Sequence, residues 1–165
     1  GCELPLVVQP NPQYSNILYK GYLDVVLYHE ATNKFKILDI KTSTRGWDDK
    51  TKKDELKQFQ LILYKKYFAE QFGVPIENID IEFFITRRKV YEEGDFPQKR
   101  FQMYSPPSGK IKTSRATKAI EEFMSECFIE NKHTTKTMHP NPSKWNCTFC
   151  PYKEDKQLCG LGASF

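Results

Sequence analysis

Two aspartates and a lysine carry the sharpest chemical signal in this chain. Asp24 closes the run Gly21-Tyr22-Leu23-Asp24, and Asp39-Ile40-Lys41 follows after one turn-prone stretch, His29-Glu30-Ala31-Thr32-Asn33-Lys34. If both runs are strands joined by that turn, they pair and the two carboxylates meet at one end. Strand alternation then puts Asp39 and Lys41 on one face and turns Ile40 toward the core. Two carboxylates hold Mg²⁺, and the backbone carbonyl of Ile40 is a further candidate ligand. The ion lowers the pKa of a bound water and stabilises a pentacovalent phosphorus, while a lysine orients the water or neutralises the developing charge. Phosphodiester hydrolysis needs such a set. The triplet is short, however, and also fits unrelated surface acids beside an ordinary strand-edge lysine.

Five cysteines, an odd number, argue against a disulfide framework. Cys147-x2-Cys150-x8-Cys159 has knuckle spacing in a proline-containing segment with little apolar content, which favours metal ligation over burial. His139 would complete a Cys₃His zinc site. Cys127 reads instead as an apolar-face residue of a helix.

The net charge of +4 is compatible with a nucleic-acid partner, and its distribution says more. Arg87 and Lys89 fall on one strand face with Arg100 opposite, flanked by Tyr91, Phe101 and Tyr104. Cations interleaved with aromatics suit a groove that tracks a nucleic-acid backbone, although a charge run also fits a solvated face. Ser43, Thr44 and Arg45, just after Lys41, are placed to contact phosphates, which implies no sequence preference.

The elements that must position these groups follow from periodicity. Residues 3–9, 17–28 and 35–42 read as strands of an antiparallel meander. Residues 54–73 read as a helix whose apolar positions are Leu56, Phe59, Leu63, Phe68 and Phe72, ended by Gly73 and Pro75. Strands over 79–90 and 98–105 pair back on each other. A second helix, about Thr113 to Ile129, carries Ile120, Phe123, Met124 and Cys127 on one face. This order predicts an α+β fold, a mixed and mostly antiparallel central sheet flanked by helices. At 165 residues, 39% of them hydrophobic, the chain suits one core, residues 1–130, with a cysteine-containing tail, 131–165, packed on it. No apolar run approaches a membrane span and no signal peptide is visible, so a cytoplasmic protein without membrane partners is expected. The first residue is Gly1, as in a fragment or a processed product.

Taken in order, these pieces resemble the PD-(D/E)XK nuclease superfamily. The likeness is closer to its RecB-like exonuclease branch, which includes CRISPR-associated exonucleases with a cysteine cluster. Glu3-Leu4-Pro5-Leu6 is similar to the opening strand, Lys20 to Asp24 to the first acidic motif, and Ile37 to Ser43 to the central motif. Gln60-Leu61-Ile62-Leu63-Tyr64 is similar to the glutamine and tyrosine motif, and the tail from Trp145 to Cys159 to the terminal cysteine motif.

The resemblance implies a restriction-endonuclease-like core, with Asp24 and Asp39 as ligands of Mg²⁺ or Mn²⁺ and Lys41 as the catalytic lysine. Gln60 and Tyr64, four residues apart on one helical face, would border the site, or else form a buried polar pair tying helix to sheet. An iron–sulfur cluster or Zn²⁺ is implied at Cys147, Cys150 and Cys159, with Cys2 or His139 as fourth ligand. The expected activity is that of a DNA exonuclease or end-processing enzyme. The rival is a catalytically idle or accessory nucleic-acid-binding module of a larger assembly. Partners expected are DNA and a helicase or other recombination or phage assembly component. Two features depart from the branch: no histidine precedes Asp24, where relatives carry one on an upstream helix, and Asp39 stands where many relatives have Glu.

Overall fold

Valine, isoleucine and tyrosine favour extended backbone, and the first part of the chain places them in three strands. The computed structural model of the chain describes residues 1–90, 98–129, 132–133, 143–155 and 159. β1 (Cys2–Val8), β2 (Tyr19–His29) and β3 (Lys34–Ser43) form the expected antiparallel meander. A short helix, α1 (Asp49–Lys53), and a long one, α2 (Glu55–Phe72), then cross over to β4 (Ile79–Arg87), which lies parallel to β3. β5 (Phe101–Tyr104) returns antiparallel to β4, completing a five-stranded sheet in sequence order. α3 (Lys110–Cys127) packs on α2, and a small hairpin of β6 (Phe128–Ile129) and β7 (Lys132–His133) follows. The mixed, mostly antiparallel sheet with helices is the α+β class expected.

α2 lies between the sheet and α3. Asp54 caps its start by accepting the Leu56 N–H, and Gly73, at φ 62, ends it in a left-handed turn that glycine enters without strain. Between the sheet and α3 it buries Leu61, Ile62, Leu63, Tyr64, Tyr67 and Phe68, a broader band than one stripe. Of the apolar positions that mark the helix in the sequence, Leu56 is 77% exposed and Phe72 is exposed as well. Both lie in the terminal turns of the helix.

Facing α2, the sheet contributes Leu6, Leu23, Val26, Ile37, Ile79, Ile81, Phe83 and Ile85 to the same core. The expectation that Ile40 points inward is overturned, since it is 46% exposed while Asp39 is only 3% exposed. In β3 both strand phases carry aliphatic residues, and α2 covers the phase of Ile37 and Asp39.

The chain divides into two compact units, Gly1–His133 and Thr134–Phe165. In the second, α4 (Lys144–Cys147) begins at Ser143, whose hydroxyl accepts the Asn146 N–H.

Candidate active site

A break in the sheet builds this site. β2 pairs with β3 from His29↔Lys34 up to Val25↔Leu38, where the ladder ends. The next residue, Asp24, takes the place of a strand partner: its Oδ2 accepts the Ile40 N–H at 2.6 Å. On the other edge of β2, the register with β1 passes from Leu4↔Leu23 to Cys2↔Val25 and skips the Glu3–Asp24 step, where Glu3 adopts φ 50. A left-handed residue inside a strand is unusual, and here it lies beside an acid that has left its ladder.

The N–H and C=O of one extended residue project to the same strand edge. Because the Ile40 N–H is directed at Asp24, the Ile40 carbonyl faces the same gap.

On the covered face Asp39 is buried, and its Oδ2 is ion-paired with Lys41 Nζ at 2.8 Å. Burial pushes the Asp39 acid above the usual carboxylate range; the Lys41 ammonium opposes that rise and the charge of Asp24 adds to it. Lys41 Nζ also donates to Gln60 Oε1 at 3.0 Å, and Gln60 Nε2 donates to Tyr64 Oη at 3.2 Å. The ammonium is thus held between a carboxylate and an amide that is itself fixed on α2.

Gly21 completes the arrangement. A Cβ there would fall 2.8 Å from Tyr64 Cε1, so the tyrosine ring occupies the space that a side chain on β2 would need. The sequence reading quoted Gly21 but gave it no role, since no local signal marks a close approach between a strand and a helix.

The five residues proposed from sequence as catalytic, Asp24, Asp39, Lys41, Gln60 and Tyr64, are therefore brought together. The residues proposed for DNA contact fare differently. The Ser43 hydroxyl donates to Gly46 O at 2.8 Å, and Thr44 Oγ1 accepts from Arg88 Nη2 at 2.9 Å, so both side chains serve the loop that holds them. Arg45, the next residue, is exposed, as are Lys89 and Arg100. The Arg87 N–H donates to Arg100 O, which puts the two residues across from each other as read. The Arg87 guanidinium, however, donates to Lys99 O at 2.9 Å and buries Nε beside Gly46.

Tyr104 stacks on Phe83 on the covered face and donates to Lys52 O at 2.9 Å, so it does not flank the cations. Phe101, on the opposite face, stacks on Phe84. Tyr91 and His139 lie outside the described residues. Gln102, which the sequence did not flag, grips the loop after β3, accepting the Trp47 N–H at 2.8 Å and donating to Trp47 O at 3.1 Å.

In the tail, the Cys150 N–H donates to Cys147 O, the Lys153 N–H to Cys150 O and the Cys159 N–H to Asp155 O, a succession of tight turns. Cys2, Cys127, Cys147, Cys150 and Cys159 are free thiols. Among the described residues no three His, Cys, Asp or Glu side chains are gathered to hold a metal. No helix among them is long and apolar enough to cross a membrane.

Residues 3–155 match the PD-(D/E)XK nuclease superfamily, and the chain belongs to that superfamily. Its members are typically nucleases that use divalent metals such as Mg²⁺ or Mn²⁺. Among solved structures, the crystal structure of SSO0001 is similar to this chain at a TM-score of 0.50 and 16% identity, over 99% of this chain and 62% of that one. At that identity the likeness is one of fold. No curated protein matches.

The residues present fit a Mg²⁺-type ion. The buried Asp39 carboxylate, the Asp24 carboxylate beside it and the backbone carbonyl of Ile40 are hard oxygen donors. Mg²⁺ characteristically takes one or two carboxylates and keeps several waters. Asp24, Asp39 and the Ile40 carbonyl would hold it, and it would supply an acidified water and charge for the phosphoryl oxygens. Lys41, fixed by Gln60, holds a positive charge beside that position.

Proposed function

We propose that this chain is a Mg²⁺-dependent deoxyribonuclease of the RecB-like type, acting on DNA ends as an exonuclease or end-processing enzyme. The observation that carries the reading is the continuous assembly from Asp24 and the Ile40 peptide through Asp39 and Lys41 to Gln60 and Tyr64. Asp24 and Asp39 hold the metal with the Ile40 carbonyl, and Lys41 stabilises charge on the phosphorus. Arg45, Lys89 and Arg100 supply exposed cations to the DNA backbone. Cys147, Cys150 and Cys159 bind an iron–sulfur cluster or Zn²⁺, with Cys2 or His139 as fourth ligand. Helicase or other recombination or phage components are the proposed partners.

Digestion of labelled single-stranded and duplex DNA, linear and circular, tests the reading. Mg²⁺-dependent loss of linear DNA with circular DNA spared is expected. Binding without cleavage under any divalent metal would favour the accessory-module reading instead.

A further inference from the structure

α1 is an odd element for a protein to hold firmly. Its five residues bury nothing, yet it is fastened at both ends. Asp48 Oδ1 caps it by accepting the Thr51 N–H at 2.7 Å, and the preceding Trp47 packs on Phe83 while Gln102 grips its backbone. At the other end the Lys52 carbonyl accepts from both Gln58 Nε2 and Tyr104 Oη. Gln58 is itself buried. Polar side chains of the core, Gln58 and Tyr104, are thus committed to a helix that contributes no core residue of its own.

The cleft beside it is lined by more lysine than acid. This open cleft of about 780 Å³ is lined by Lys50, Thr51, Lys53, Asp54 and Lys57. Asp54 pairs with Lys57 at 2.9 Å, and Asp49 lies 3.7 Å from Lys52. Lys50 and Lys53 are exposed and neither is in an ion pair among the described residues, although the Asp48 carboxylate is near enough to feel the Lys50 charge. The cleft shares α2 with the site. On α2, Lys57 stands three residues before Gln60 and seven before Tyr64, a spacing that keeps all three on one helical stripe. Lys57 therefore lies less than one turn from the amide that holds Lys41.

We infer that the cleft formed by α1 and the first turn of α2 binds the phosphate backbone of the nucleic-acid strand whose scissile bond lies at Asp24, Asp39 and Lys41. Lys50 and Lys53 are the lysines of its lining that stand outside ion pairs. The inference rests on the nuclease reading for the identity of the polyanion. The contacts are to phosphate, so they add affinity without sequence preference.

The test is equilibrium binding of a labelled single-stranded oligonucleotide to the full chain, with Ca²⁺ in place of Mg²⁺, at stepped salt concentrations. The parent is compared with the double variants K50E/K53E and K50Q/K53Q. Both positions are exposed, so the fold should survive, and the glutamine pair guards against new repulsion with Asp49 and Asp54. Losing two phosphate contacts should make log K against log salt shallower by about 1.4, at roughly 0.7 per contact on a single strand. Affinity at low salt should fall about tenfold for the glutamate pair and less for the glutamine pair. In Mg²⁺, KM for long DNA should rise while kcat stays near parental.

Parental affinity and slope in both variants would overturn the inference, even if the enzyme cleaves. A parent that binds no DNA would overturn it too. A parent that does not cleave but shows the loss of slope in its variants would overturn the catalytic reading and leave this surface standing.

Discussion

The acidic centre and the cysteine tail are organised in opposite ways. At the centre, the deciding contacts join residues far apart in sequence: Asp24 to the Ile40 peptide across 16 positions, Lys41 to Gln60 across 19. Folding of the sheet against α2 sets their geometry in advance. In the tail, the backbone hydrogen bonds among Ser143, Cys147, Cys150, Asp155 and Cys159 close over three or four residues, and the three thiols are not gathered. Local turns bring pairs of ligands near each other but bury little apolar surface, so ordering such a segment needs an external source of free energy such as a metal. One region should keep its shape when its metal is removed, and the other should not.

Lys41→Ala attacks the preorganised side of that comparison. It should lower the cleavage rate by about a thousandfold, the order seen when one fixed charge-stabilising group is lost, while Mg²⁺ binding measured by calorimetry is retained. A variant that loses metal and rate together would make Lys41 a structural counter-ion.

Cys147→Ser addresses the other side. It should release the tail's metal, read by elemental analysis and by the visible spectrum that separates iron–sulfur from zinc. Cys127→Ser should leave metal content unchanged. Unfolding of residues 1–133 should move by no more than ~2 °C in either variant, within the effect of a surface substitution. Equal metal content in Cys147→Ser and the parent would remove the cluster.

Gly21→Ala should be smaller but measurable. The added methyl meets the Tyr64 ring, so stability should drop by about 1–3 kcal/mol, as in overpacked cores, and cleavage should fall with it. Unchanged denaturant melting would mean that the ring moves aside freely.

The smallest effect is electrostatic. Burial raises the Asp39 acid, so the folded metal-free state holds its proton at a pH where the unfolded chain has released it. Stability is therefore lost as pH rises from the ordinary carboxylate range through the raised value. Asp39→Asn removes that cost and should raise the Tm of metal-free protein at neutral pH, with the gain vanishing as pH falls below about 4. Added Mg²⁺ should stabilise the parent and not the variant. A Tm gain that is independent of pH would point to packing instead.

Much of this centre was legible in the sequence because its signals are local. Period two puts Asp39 and Lys41 together, a four-residue helical spacing aligns Gln60 with Tyr64, and the turn after His29 pairs the strands that bear the acids. What was not legible depends on which face receives a helix. β3 carries aliphatic side chains in both phases, so alternation could not say that Ile37 and Asp39 are covered and Ile40 is not. The same ambiguity put Tyr104 beside the cations, whereas it lies under α1, and hid the roles of Gln102 and Gly21, whose partners are remote in sequence. Ser43 and Thr44 looked available for phosphate because nothing in their neighbourhood announces the loop bonds to Gly46 and Arg88.

The central claim is that Asp39 serves a metal and not the fold. Cleavage of labelled linear DNA by the parent and by Asp39→Asn, side by side in Mg²⁺ and in Ca²⁺, tests it most directly. The account predicts cleavage by the parent in Mg²⁺ alone, and no detectable cleavage by a variant that is folded and at least as heat-stable. An Asp39→Asn protein that cleaves as fast as its parent would contradict it.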